Sequence, residues 1–379
     1  MIPITIPFLG EEEVRAAGEA IRSGWLTQGT RVAEFERSVA AYCATTQAVA
    51  VANCTVALHL ALLCLDIGPG DEVICPSISF IATPNAIQHV GATPVFADVD
   101  ARTYNLDPHA AEAAITPRTK AILVVHQIGM SADMDRFNAL AASRGIKVLE
   151  DAACAIGSRY KGRPIGGHSE MACFSFNSGQ VVSTGEGGIV TTNSAAYAER
   201  LRLLRQHGMS IPDTIGRAGP QLVEEEYVCV GYNCCLTDIQ AAIGTEQMKK
   251  LDSMIERRRR LAAHYTRALT DHPWLQPPHV ADYAVPNFQS YAVHLSRKSP
   301  VKRHEVMQRL LDQGIATRRG IRAAHQERAY GVIPPGNLLA RSEEASASSF
   351  LLPLYPQMTE EEQNLVISAL CGPSVFHPD

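Results

Sequence analysis

Over the first 250 residues, short β-like runs alternate with amphipathic helical stretches, and few folds accept that pattern. The runs DEVICP (71–76), TPVFADV (93–99), KAILVVH (120–126) and IKVLEDAA (146–153) read as buried strands. Between them, Thr83–Val90, His109–Ala114 and Met134–Arg144 carry helical periodicity. Strands that are apolar on both faces and separated by helices predict a parallel sheet covered on each side. EMACFSF (170–176) and GGIVTTN (187–193) read as two more strands, flanking the loop NSGQVVSTGE. The long apolar run from Ala48 to Leu65 is broken by Asn53, Thr55 and His59, so it reads as a core strand followed by a helix, not a membrane span.

Further on, TDIQ (237–240) fits a capping box, with Thr237 as N-cap and Gln240 three residues later. The helix it opens continues through MKKLDSMIERRRRLAAHYTRAL (248–269), and its ERRRR run (256–260) reads as a solvated face. Asp271–Pro286, rich in Pro and His, marks a boundary. A strand (Ser290–Leu295), a helix (Arg303–Gln313), a strand (Ile315–Arg318) and a last helix (Thr359–Leu370) follow. The expectation is a large α/β domain over 1–250, with an N-terminal arm at 1–30, and a smaller α+β domain over 251–379. A chain of 379 residues supports such a division.

Charge narrows the partners. A net charge of −5 and a pI near 6.2 give no reason to expect nucleic acid or an anionic membrane surface. The ten cysteines are scattered, with no CxxC and no zinc-ligand spacing, so they read as buried free thiols of a cytoplasmic protein. The start, MIPITIPFLGEEE, lacks the basic and apolar regions of a signal peptide.

Several residues fall where chemistry is done. Glu150 and Asp151 end a predicted strand, and open α/β sheets bind ligands at the carboxyl ends of their strands. An acidic side chain there suits a protonated ring nitrogen, a metal or a ribose. Thr55 lies where a helix opens after a strand, a place for a phosphate or for a simple N-cap. Phe80, on the same rim, is either core or a stacking partner for a planar ring. The glycines of TGEGG (184–188) allow close backbone approach, though the stretch is neither a dinucleotide fingerprint nor a P-loop. Ser175 sits just before that loop and has a hydroxyl to offer a phosphate.

The order and spacing of these pieces carry more than any one of them. SGWLTQG from Ser23, NCTVALHLAL, PSISFIATPNAI, GATPVFADVD, VVHQIGMSADMD, EDAACAIGSRYKGRPIG, the STGEGG loop, GYNCCLTDIQAAIG and ATRRGIRAAHQERAY occur in sequence. Together they resemble, over nearly the whole chain, the DegT/DnrJ/EryC1/StrS family. Those proteins are fold-type I sugar aminotransferases that use pyridoxal 5′-phosphate (PLP) and its amine form, pyridoxamine 5′-phosphate (PMP). The resemblance implies a mostly parallel central sheet covered by helices, and a homodimer with shared active sites. It implies that Thr55, the Val56 N–H and Ser175 hold the cofactor phosphate, joined by Asn233 of GYN reaching across from the other subunit. Phe80 would stack on the pyridine ring and Asp151 would pair with its protonated nitrogen. Position 154, often Gln or His in the family, is Cys154 here, so that contact to the ring oxygen is changed. His126 lies in a familiar block without an assigned role. The implied substrates are a nucleotide-linked keto-sugar or a cyclitol ketone, with an amino-acid donor such as glutamate. This is the chemistry of deoxyamino-sugar, antibiotic and polysaccharide biosynthesis. The Ile211–Val223 loop and the RRGIRAAHQERAY stretch would shape the choice of sugar.

One residue departs from the family pattern. Members carry S-F-x-x-x-K in this loop, and the lysine slot is Gln180. The lysines of the chain are Lys120, Lys147, Lys161, Lys249, Lys250, Lys298 and Lys302, so none lies between 161 and 249. Lys161 itself, in RYKGRP, reads as facing water. An amide has no basic lone pair, so it neither forms a Schiff base nor shuttles a proton. The cofactor is then expected non-covalently bound or as an external aldimine. Two origins fit. The intact surroundings favour a Lys→Gln change in an ordinary aminotransferase, leaving an inactive or trapped variant. The alternative is a native lysine-free member, acting as a PMP-dependent dehydratase or lyase or as a non-catalytic binding protein.

Overall fold

The computed structural model describes residues 1–211, 224–330 and 339–376. Helices α1 (Glu11–Arg22) and α2 (Thr30–Tyr42) precede β1 (Gln47–Val51), α3 (Cys54–Cys64), β2 (Glu72–Pro76), α4 (Ala82–His89) and β3 (Thr93–Ala97). Then come α5 (Pro108–Ala113), β4 (Thr119–Val125), α6 (Met134–Arg144) and β5 (Lys147–Asp151). Two short strands, β6 (Arg159–Tyr160) and β7 (Arg163–Pro164), lead to β8 (Met171–Ser175), β9 (Gly188–Thr192) and α7 (Ala195–Arg205).

The main sheet has the order β1-β9-β8-β5-β4-β2-β3. Pairs β2–β3, β2–β4, β4–β5 and β5–β8 are parallel, whereas β9 runs antiparallel to both β8 and β1. Alternate strand residues enter opposite cores. In β1, Ala48 and Ala50 join one cluster and Val49 and Val51 the other; in β4, Ile122 and Val124 oppose Ala121, Leu123 and Val125. That is the signature of a sheet with helices on both faces, as the sequence pattern predicts.

A single helix, α8 (Asp238–Leu269), then spans the molecule. Its start is the expected capping box: Thr237 Oγ1 accepts from Gln240 N and the Gln240 side chain reaches back to Thr237 N. Ala241, Met248, Leu251 and Ile255 pack into the first core, while Leu261, Ala262, Tyr265 and Leu269 belong to a separate C-terminal core. Residue 250, the expected edge of the large domain, lies within this helix, which continues to Leu269 before the Pro- and His-rich stretch. The ERRRR reading is corrected. Arg258 is only 1% exposed, and its Nη1 donates to the carbonyls of Phe288, Gln289 and Leu354. Arg257 and Arg259 bond backbone carbonyls as well, leaving Glu256 and Arg260 in solvent.

Beyond α8, β10 (Leu275–Gln276), β11 (Ala284–Val285), β12 (Tyr291–Leu295), α9 (Arg303–Asp312), β13 (Arg318–Arg319), α10 (Ala340–Ser348), β14 (Ser349–Leu352) and α11 (Glu360–Cys371) follow. An antiparallel sheet β10-β12-β14-β13 forms the heart of this half, and β11 joins β6 and β7. The expected strand at Ile315–Arg318 is shifted to Arg318–Arg319; Ile315 instead bridges Ile2. The N-terminal arm contains α1, whose Ala16 and Ala20 pack on Ala242 of α8. Its first residues cross to the C-terminal half, where Ile2 N donates to Gly314 O at 2.7 Å.

Candidate active site

The site assembles where β5, β8, the β8–β9 loop and the start of α3 meet. Asn53 caps α3, accepting from Val56 N at 3.0 Å; Thr55 takes no part in the cap. The Val56 N–H thus has a partner within the chain. Ser175 pairs with Gly188 across the hairpin, and Gly188 lies against the start of α3 so closely that a Cβ would come within 2.4 Å of Asn53 C. Thr55, Val56 and Ser175 are thereby drawn to one corner, lined by helix N–H groups and hydroxyls, which suits a phosphate.

Asp151 closes the next corner. It ends β5, pairs with Cys173 of β8 and is 5% exposed. Its Oδ2 accepts from Thr83 Oγ1 at 2.7 Å and its Oδ1 from Ala153 N at 3.2 Å. Burial pushes its carboxyl above the ordinary range, and the bonds from Thr83 and Ala153 only partly counter it. Thr83 also bonds Ser79 Oγ at 2.7 Å, and the next residue is Phe80. That ring is 77% exposed, at the carboxyl rim of the sheet. A large apolar ring left open, next in sequence to a residue linked through Thr83 to a buried and only partly compensated carboxylate, fits a planar cation stacked on one and paired to the other.

Glu150 takes the other face of the strand, as adjacent strand residues must. His126 Nδ1 accepts from Ala132 N at 3.1 Å, so Nε2 carries the proton and donates to Glu150 Oε2 at 2.9 Å. Burial raises the Glu150 carboxyl, but the bonds from His126 and Ser169 outweigh it and hold the group below its usual range. His126 N also donates to Asp151 O at 3.0 Å. The residue without an assigned role therefore braces the strand end that presents Asp151.

Gln180 sits in a tight turn. Its N–H donates to Asn177 O at 2.9 Å, and Gln289 of the C-terminal half donates to Gly179 O at 2.9 Å. The Gln180 amide nitrogen lies 3.8 Å from Cys154 Sγ, while its Oε1 is buried without a hydrogen-bond partner. Burial raises the Cys154 thiol to about 12, so it is a neutral thiol. The two positions that depart from the family pattern touch each other. Lys161 is elsewhere, on a turn, with Nζ paired to Asp135 at 2.6 Å.

Asn233 is exposed, next to Cys234, whose carbonyl accepts from Ala52 N at 2.9 Å. Of the loop expected to shape substrate choice, only Ile211 is described; 212–223 lie outside the described residues. Sequence reasoning did not find Thr83, which holds Asp151 from 68 positions away, or Gln289, which holds the Gln180 turn. No spacing rule points to either.

The family model for DegT/DnrJ/EryC1/StrS aminotransferases matches residues 7–371. The chain belongs to this family. The family member is 39% identical over 377 residues to the spore coat polysaccharide biosynthesis protein SpsC of Bacillus subtilis (strain 168), covering 97% of this chain and 96% of SpsC. The structure of S. venezuelae DesV in complex with a ketimine intermediate matches with a TM-score of 0.87 at 36% identity, over 97% of this chain and 98% of DesV. Spr1654 of Streptococcus pneumoniae in its PMP-form matches with a TM-score of 0.91 at 29% identity, over 98% of each chain. The architecture of this aminotransferase is the one its sequence predicts: fold-type I, with a mostly parallel sheet and a smaller C-terminal unit. Among the described residues no helix is long and apolar enough to cross a membrane.

Proposed function

We propose that this chain binds PLP or PMP without a covalent link and serves amino transfer to a nucleotide-linked keto-sugar or cyclitol ketone, with an amino acid such as glutamate as donor. When bound, the cofactor supplies an electron sink and an amino-group carrier. The chain's own residues do the rest. Thr55, the α3 N-terminus and Ser175 hold the phosphate, joined by Asn233 of the partner subunit. Phe80 packs on the ring face. The Asp151 carboxylate, held ionised by a cationic ring nitrogen, keeps the proton on that nitrogen. His126 and Glu150 fix the strand end behind it.

Asp151 carries this reading, because it is a buried carboxylate that no cationic side chain pairs with among the described residues. Gln180 sets the limit: its amide cannot replace the amine that would anchor the cofactor and move the proton. Turnover is therefore slow or absent, in line with the ~10²–10⁴-fold value of general acid-base groups. The test is Gln180→Lys. The variant should gain the visible-edge absorbance of a lysine-linked cofactor and aminate ketones, while the unaltered chain shows neither. A variant that binds cofactor yet aminates nothing in a broad panel of keto-sugars and cyclitol ketones defeats the transaminase assignment.

A further inference from the structure

We propose that the cleft between β13, α9 and α10 is an anion subsite that receives the diphosphate of the nucleotide-linked substrate. The inference rests on the keto-sugar reading above and adds where the substrate's charged handle is held. The cleft has a volume of about 390 Å³ and is lined by Arg303, Arg319 and Arg322, with Glu343 as its one acidic side chain. That size falls in the range of small-molecule sites.

The charges do not cancel within the protein. Glu343 is already drawn to His325 Nε2 at 3.3 Å, and His325 is fixed in turn by Ser77. Arg322 reaches Glu327 only at 3.7 Å, between two exposed side chains, which is a weak pairing. Among the described residues no carboxylate pairs with Arg303 or Arg319. Arg303 is half-buried and bonded to the carbonyls of Ser346 and Ser349, so it cannot swing away. Burial and the neighbouring Arg319 charge both push its guanidinium below its ordinary value. A multivalent anion relieves that repulsion, and three guanidiniums suit the spread charge of a diphosphate better than a lone carboxylate.

The cleft is also rigid and well placed. Gly320 lies so close to Ser349 that a Cβ would fall 1.9 Å from its Oγ, and Gly320 N donates to Ser349 O at 3.0 Å. Ser79 N donates to Arg322 O at 3.2 Å, and Ala324 N to Ser77 O at 2.8 Å. The arginine-bearing segment is therefore stitched to the residues just before Phe80. These two hydrogen bonds tie one wall of the cleft to the strand end that leads into Phe80.

Calorimetric titration of the full chain with inorganic pyrophosphate at low salt tests this. With the phosphate corner of the main site already filled by PMP, one further site per chain is expected, weakening as salt rises. Arg319→Gln alone, and with Arg322→Gln, should lower the affinity by about ten-fold or more, while Arg260→Gln on the far helix surface leaves it unchanged. Absence of binding at millimolar pyrophosphate, or equal affinity in all variants, would overturn the subsite. PMP binding, followed separately by absorbance, keeps the two ideas apart. PMP bound without pyrophosphate sinks only the subsite, whereas failure to bind PMP sinks the cofactor reading.

Discussion

At the scale of single residues, Asp151 is the group whose cost the ligand-free protein bears. Its carboxyl is pushed above the ordinary value of about 3.9, so the fold favours its protonated form. The stability it contributes is complete below that ordinary value and is lost as pH rises through the raised one. Above its ordinary value the group costs the ligand-free fold stability, a cost that a cationic ring nitrogen would relieve. Asp151→Asn should therefore raise the melting temperature of the ligand-free chain at pH 7 yet weaken PMP binding by roughly ten-fold or more. Thermal shift assays with and without PMP read both effects, and a variant that loses stability in the absence of ligand would contradict the sign. Glu150, one residue away, has the opposite linkage. Its carboxyl is held low, so its contribution is present above the ordinary value and fades as pH falls through the depressed one. The sequence reading set these two neighbours together at one strand end, and strand alternation turns them to different surroundings. Which one would be left without a cation was not legible, because His126 and Thr83 are remote in sequence.

At the scale of elements, the phosphate corner depends on how closely the β8–β9 hairpin meets α3. The strands themselves were readable, since runs such as AILVV are apolar on both faces and match the observed β4. Their contact was not, because it turns on a glycine whose importance appears only when Asn53 lies against it. Gly188→Ala would drive a methyl group into the backbone at the head of α3. The hairpin has to shift, at a cost of about 1–3 kcal/mol, and Ser175 moves off the helix N-terminus. Chemical denaturation should report the lost stability, and inorganic phosphate or PMP titration a matching loss of affinity. A variant with wild-type values in both would show that the corner is looser than its geometry implies. Short elements escaped the sequence for a different reason. The ARSEEASAS helix α10 is built from small polar residues with little apolar periodicity, and β13 is only two residues long.

At the scale of the whole molecule, α8 makes one unit of two cores, and Arg258 is its joint. A run of arginines suggests solvent, yet Leu251, Met254, Ile255, Arg258, Leu261, Ala262 and Tyr265 share one buried stripe at helical spacing. The sequence reading of a solvated face followed the charge; the buried stripe sets Arg258 inside, where three backbone carbonyls accept from it. With no carboxylate paired to it among the described residues, burial lowers its guanidinium to about 10, still charged at neutral pH. One of those carbonyls belongs to Gln289, whose side chain holds the turn that carries Gln180. The joint between the halves therefore also supports the active-site loop. Arg258→Met keeps the stem's packing but strands the carbonyls, which should cost about 3 kcal/mol. Because Gln289 loses its anchor, PMP affinity should fall in the same variant, although the substitution lies outside the site. Arg260→Met, one position from the stripe's edge and exposed, should do neither. Denaturation midpoints and PMP titrations of the two variants separate a joint that transmits from a helix that merely packs: if Arg258→Met loses stability with PMP affinity intact, the Gln289 link carries nothing to the loop.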